Sequence, residues 1–126
     1  MGYMAHDAVV VTVAGYAMRG EYGAPRMGDV EAFRESLPED WRHLVIGPVP
    51  GVINDYFSYV FLPDGSKEGW TTSDRGDEYR ARFAALFSGC YDDGSSPYDY
   101  VEVRYGGDER EEPSVKAGPQ VPQKAS

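Results

Sequence analysis

The sequence predicts an α+β domain in which two short helices cover one face of an antiparallel sheet. Three observations carry that expectation. Four stretches are alternating or β-branched, two others space apolar residues at helical intervals, and their order is strand, helix, strand, strand, helix, strand. A chain of 126 residues suits one domain around one core.

The first strand is read over residues 7–14, DAVVVTVA, a β-branched run too short for a typical helix and ended by Gly15. Its lack of alternation predicts a central strand buried on both faces. Residues 15–28, GYAMRGEYGAPRMG, form a connection longer than most inside compact domains, either a surface loop or an extra hairpin. Val30, Phe33 and Leu37 then share one stripe of a short helix, capped by Gly28 or Asp29 and stopped by Pro38. WRHLVIG, residues 41–47, alternates with Trp41, His43 and Val45 on one face, and GPVPG breaks it. Residues 53–62, INDYFSYVFL, are the strongest strand in the chain. Phe57, Tyr59 and Phe61 line one face of it; Tyr56, Ser58, Val60 and Leu62 line the other.

LPDGSKEGWTTSDRGDEYRARFAALF comes next. PDG is turn chemistry, Asp74 stands where a helix N-cap is wanted, and Asp77 and Glu78 add negative charge to the first turn. Tyr79, Phe83 and Leu86 or Phe87 form the apolar stripe, and Gly89 closes the helix. GSKEG lacks the G-x-x-x-x-G-K-[ST] pattern of a phosphate loop, and the aspartates miss the alternate spacing of a calcium loop. After the polar turn CYDDGSSP, residues 98–105 form a last alternating strand with Val101, Val103 and Tyr105 on one side. In a domain of residues 1–105 this order favours a ferredoxin-like sandwich, its sheet open on the face opposite the helices. Residues 106–126, rich in proline and charge and without periodicity, are expected to be a disordered acidic tail.

Composition narrows the functions. The net charge of −9 repels phosphate backbones and favours basic partners. No apolar run approaches the ~18 residues that span a bilayer, so no membrane role is expected. The start, MGYMAHDAVVV, lacks a basic region followed by a cleavable apolar segment, and a single cysteine, Cys90, excludes an internal disulfide. Both point to a reducing cytoplasm. The RNA-recognition module shares the element order, and Phe57 and Tyr59 stand at its base-stacking spacing. Asp55 in place of a basic residue, a first strand without aromatics and the acidic charge all speak against nucleic acid.

Nothing local pairs Cys90 with His6 or His43 for nucleophilic chemistry, and no histidine or cysteine spacing suits zinc. The sequence therefore calls for no catalytic residue, no metal and no cofactor. The segment with recognition chemistry is the 15–28 connection, where Tyr16, Arg19, Tyr22 and Arg26 sit among four glycines. Arginine forks and tyrosine rings on a mobile backbone suit a partner protein, a carboxylate or a nucleotide.

Across residues 55–87, the texture LPDGSKEGWTTSD followed by GDEYRARF resembles small uncharacterised acidic proteins of actinobacteria and their phages. The resemblance implies an accessory protein of a host or phage genome that acts by binding. The expected function is a small cytoplasmic, non-enzymatic module that docks on another protein through its open sheet face and the Tyr/Arg loop. The alternative is a small-molecule or nucleotide binder that closes the 15–28 loop over an anion. An open face or edge strand also offers a route to a homodimer.

Overall fold

A computed structural model describes residues 5–66, 69–106 and 113–117, without the side chains of the last two. The elements are β1 (Ala5–Ala14), α1 (Gly15–Met18), α2 (Val30–Ser36), a 3-10 helix (Glu39–Leu44), β2 (Val45–Pro50), β3 (Tyr56–Phe61), α3 (Thr71–Ala85), β4 (Tyr98–Gly106) and β5 (Ser114–Ala117). They build an α+β domain around one antiparallel five-stranded sheet of order β2-β3-β1-β4-β5.

The helices share one face of that sheet. Phe33 of α2 and Phe83 of α3 both meet the Phe61 ring of β3, with centroids 6.2 and 5.7 Å away. Val9, Val11, Val13 and Phe61 are fully buried beneath them, and Phe87 and Tyr98 extend the aromatic cluster. Val30, Phe33 and Leu37 are buried as their spacing requires, and the Asp29 carboxylate caps α2 by accepting from Ala32 N–H at 3.1 Å. Each large side chain so buried stabilises by about 1.5–3 kcal/mol.

Several expectations are corrected. β1 is not buried on both faces: Val10 is 42% exposed because no described element covers the far side of the sheet. Residues 41–44 are not strand but the last four residues of the 3-10 helix, capped by Pro38, whose carbonyl accepts from Trp41 N–H at 2.9 Å. Arg42 holds that turn by donating to the Leu37 and Glu35 carbonyls, and Trp41 packs edge-on against Tyr79. β2 then runs through the GPVP segment with a register shift between Ile46 and Val49. Gly47 is needed there: its φ is +128°, and a Cβ would sit 2.7 Å from the Ser58 carbonyl. Asp74 is not the N-cap of α3. The helix starts at Thr71, the Trp70 carbonyl accepting from Ser73 N–H, which puts Asp74 in the first turn. Within the 106–126 segment, Gly106 ends β4 and Ser114–Ala117 pair with it as β5; residues 107–112 and 118–126 lie outside the described residues.

The feature sequence reading missed is a buried ionic cluster under α3. Arg80, 1% exposed, donates to Asp77 (2.7 Å), Glu102 (3.2 Å) and Asp7 (3.5 Å), and its Nη1 lies 4.0 Å from Asp64. Arg104 shares Asp7, at 2.9 Å. Gly76 admits this packing inside a helix, since a Cβ would stand 3.0 Å from the Asp64 carboxylate.

Two substitutions test this core by denaturant unfolding. Phe83→Ala is expected to cost about 3–5 kcal/mol, the range for a fully buried aromatic. Arg80→Met removes the shared cation from carboxylates that stay in place and is expected to cost about 3–5 kcal/mol as well. A loss below about 1 kcal/mol in either variant would contradict the burial described here.

Candidate binding surfaces

Two surfaces carry recognition chemistry. The first is the open face of the sheet. Strand register aligns Ile46, Val60, Val10 and Val101 in one row across β2, β3, β1 and β4. Ile46 is 40% exposed, while Val60 and Val101 are half-buried by their neighbours. The row bears no charge in a chain of net charge −9. Beside it, Val49, Ser58, Thr12 and Asp99 form a more polar row, with Thr12 and Ser58 hydroxyls 3.0 Å apart. On the other side Val103 pairs with Ala8 and with the exposed Val115. Aliphatic side chains aligned on an uncovered face are what a docking surface requires.

Phe57 and Tyr59, the pair at base-stacking spacing, are not on this face. Tyr59 is 4% exposed and its ring packs on Phe87, with Phe57 against the same core, so neither offers a platform to a base. Burial also pushes the Tyr59 phenol above its ordinary range.

The second surface is built by the 15–28 connection. It is neither hairpin nor featureless loop: α1 makes one helical turn, and left-handed residues Gly20, Tyr22 and Gly23 follow. Two close approaches anchor it. Gly15 N–H donates to the Asp55 carbonyl and Gly28 N–H to the Leu86 carbonyl, both at 2.7 Å. At either glycine a Cβ would come within 2.5 Å of a side-chain atom of the partner residue.

The four residues singled out in this segment divide. Arg19 is committed, 2.8 Å from Asp55 and 3.2 Å from Glu21. That hydrogen bond holds the Asp55 carboxyl below its usual range. Tyr16 bonds the Tyr91 hydroxyl at 3.1 Å, which pushes the Tyr91 phenol up to about 12. Tyr22 is 86% exposed and meets Tyr16 edge-on. Arg26 is exposed, and its side chain has no ion pair among the described residues. Arg19 and Arg26 border one cleft of about 880 Å³, whose apolar lining includes Met18, Met27 and Leu86; Tyr16 and Tyr22 lie outside it.

Among the described residues no group of three or more His, Cys, Asp or Glu is placed to hold a metal ion, and no helix is long and apolar enough to cross a membrane. Cys90 is an exposed free thiol, His43 is exposed on the 3-10 helix, and the His6 ring meets Tyr105 at a tilt of 47°. Comparison with protein-family models, curated proteins and solved structures found no match.

The Arg19–Asp55 pair gives a pH prediction. Because the Asp55 pKa is depressed on folding, the pair's contribution is present above the ordinary aspartate value and is lost as pH falls through the depressed one. In Arg19→Ala, a carboxyl-carbon NMR titration of Asp55 should move up to about its ordinary 3.8. An unmoved midpoint would show that Arg19 is not what holds it.

Proposed function

We propose that the protein is a non-enzymatic binding module that docks on another protein through the open face of its sheet. The observation that carries this reading is the uncharged row Ile46–Val60–Val10–Val101, with Ile46 and Val10 exposed and Val60 and Val101 half-buried, on a sheet whose other face carries the helices. We read the fold as a ferredoxin-like sandwich with one added strand: β2-β3-β1-β4 is the strand order that fold uses, and β5 extends it. The chain's net charge of −9, with Asp99 exposed in the next row, favours a partner with basic residues at its rim. An accessory role in a host or phage genome, implied by the resemblance of residues 55–87, fits a protein that acts by binding. The exposed Cys90 thiol suits a reducing cytoplasm.

The test is capture from lysate with wild type and with the double variant Ile46→Lys, Val60→Lys. Both positions face outward, so folding should survive, while a charge at the row's centre should cut retention of the partner at least tenfold. Retention of the same proteins by both chains, or of none by either, would overturn the reading; a shift to dimer in sedimentation would assign the face to a second copy.

A second reading, an anion binder, is favoured by Arg26, exposed at the mouth of the 880 Å³ cleft and without an ion pair among the described residues. Thermal-shift screening with nucleotides and phosphorylated metabolites tests it. A ligand at 100 times its dissociation constant stabilises by about 2.7 kcal/mol. Flat curves across the panel would remove it.

A further inference from the structure

The two margins of the sheet differ in a way that the open face does not explain. At the β2 margin, Pro48 and Pro50 have no N–H, and the register shifts between Ile46 and Val49. The Val45 and Gly47 carbonyls are taken by Arg34, through Nε at 3.2 Å and Nη2 at 3.1 Å. Prolines, a bulge and satisfied carbonyls close that margin to any further strand.

The β4 margin is closed only in part. β5 pairs with β4 at Glu102, Val103 and Arg104, but β4 begins at Tyr98. The bond from Ala14 N–H to the Pro97 carbonyl sets the phase of the β1–β4 ladder. Asp99 and Val101 therefore exchange bonds with β1, and the backbone groups of Tyr98 and Tyr100 point outward. Ser96 Oγ accepts from Tyr98 N–H at 3.1 Å. Among the described residues nothing takes Tyr100 N–H or either outward carbonyl. A hollow flanks this stretch on each side of the sheet. One, of about 110 Å³, lies on the helix side against Phe87, Cys90 and Tyr98. The other, of about 250 Å³, lies on the open side against Val10, Thr12 and Asp99. Tyr100 borders both.

We infer that the outer edge of β4 at Tyr98–Val101 accepts an extended strand from a partner protein, laid antiparallel as a continuation of β5. This deepens, and rests on, the reading of the chain as a protein-binding module. The residue opposite Tyr100 exchanges two backbone hydrogen bonds with it and turns a small apolar side chain into the helix-side hollow. Its neighbours turn to the open side, a Lys or Arg opposite the exposed Asp99 and an aliphatic residue opposite Val101. The strand already seated on this edge, the closed opposite margin and the carboxylate of Asp99 select that occupant. The sequence after Ala117, Gly118 and Pro119, is a poor strand former, and Pro119 has no N–H to give.

The test is amide exchange on the full chain. The probe is the acetylated and amidated peptide Val-Val-Lys-Thr-Val, with Val-Pro-Lys-Thr-Val as its control, and a grafted chain carrying Gly118→Val, Pro119→Val and Gln120→Lys gives the same strand in cis. Exchange of the Tyr100 amide is expected to slow at least tenfold in the grafted chain, and in wild type with the first peptide but not the second. A Tyr100 amide that exchanges in the grafted chain as in wild type, or that the proline peptide protects equally, overturns the acceptor edge. The double variant Ile46→Lys, Val60→Lys should leave the peptide protection in place, because both residues lie beyond β1; loss of lysate capture with retained protection separates the two surfaces.

Discussion

Arg80 is the constraint around which the rest of the domain is arranged. A guanidinium with 1% exposure is costly to bury unless carboxylates and hydrogen bonds surround it. Here the carboxylates come from four places: Asp7 on β1, Glu102 on β4, Asp64 in the turn after β3, and Asp77 one turn earlier on α3 itself. Meeting them fixes α3 in rotation and in height. With Arg80 over the centre of the sheet, Phe83 and Phe87 fall against Phe61, Tyr59 and Tyr98. Gly76 suits the same demand, since a Cβ there would crowd the Asp64 carboxylate and the guanidinium at 3.0–3.2 Å. Part of the chain's acidity is thereby consumed inside the fold, and the surface is less acidic than the formal charge of −9 implies.

That cluster also shows where sequence reading stops. The α2 helix was legible because its signals are local: a stripe of Val30, Phe33 and Leu37, a capping Asp29 and a stopping Pro38. The faces of β3 were legible for the same reason, period-two alternation putting Phe57, Tyr59 and Phe61 together on the core side. Arg80 reads locally as one more charge on an amphipathic helix. Its partners Glu102 and Asp7 lie 22 and 73 residues away, and no periodicity announces such a meeting. Residues 41–44 misled in the opposite sense, since their alternation is real but the carbonyls held by Arg42 favour a 3-10 turn. The run of valines in β1 suggested burial on both faces. Identical residues alternate between 0% exposure at Val9 and 42% at Val10, and only the placement of the helices decides which is which.

Of the recognition residues, the 15–28 segment was legible as unusual but not as what it does. Its glycines serve two different ends: Gly15 and Gly28 permit close backbone contact, whereas Gly20 and Gly23 take left-handed conformations in open space. Arg19, the most suggestive side chain in the sequence, is held by Asp55 and Glu21 and ties the end of α1 to the β2–β3 turn. Of the two arginines in this segment, Arg26 is the one whose guanidinium has no ion pair among the described residues. The open face carried no motif at all. It emerges only when strand register brings residues from four strands into line, each of them an ordinary strand aliphatic in its own context.

The open face and the edge of β4 that is unpaired among the described residues are continuous, and that continuity bears on how a partner would be read. Val101 ends the uncharged row and also borders the Tyr98–Tyr100 stretch of β4. A strand added there would place its open-side residue next to Val101, lengthening the row Ile46–Val60–Val10–Val101 by one more strand. Backbone pairing would supply attachment with little dependence on side chains, while the aliphatic row and Asp99 would select among the segments able to pair. Neither part suffices alone. An apolar row without an edge has no register to impose, and an edge without flanking side-chain sites would accept any extended chain and invite aggregation. The β2 margin is closed by Arg34 and two prolines while Tyr98–Val101 is uncovered among the described residues, which confines that risk to the one margin where the neighbouring side chains can discriminate.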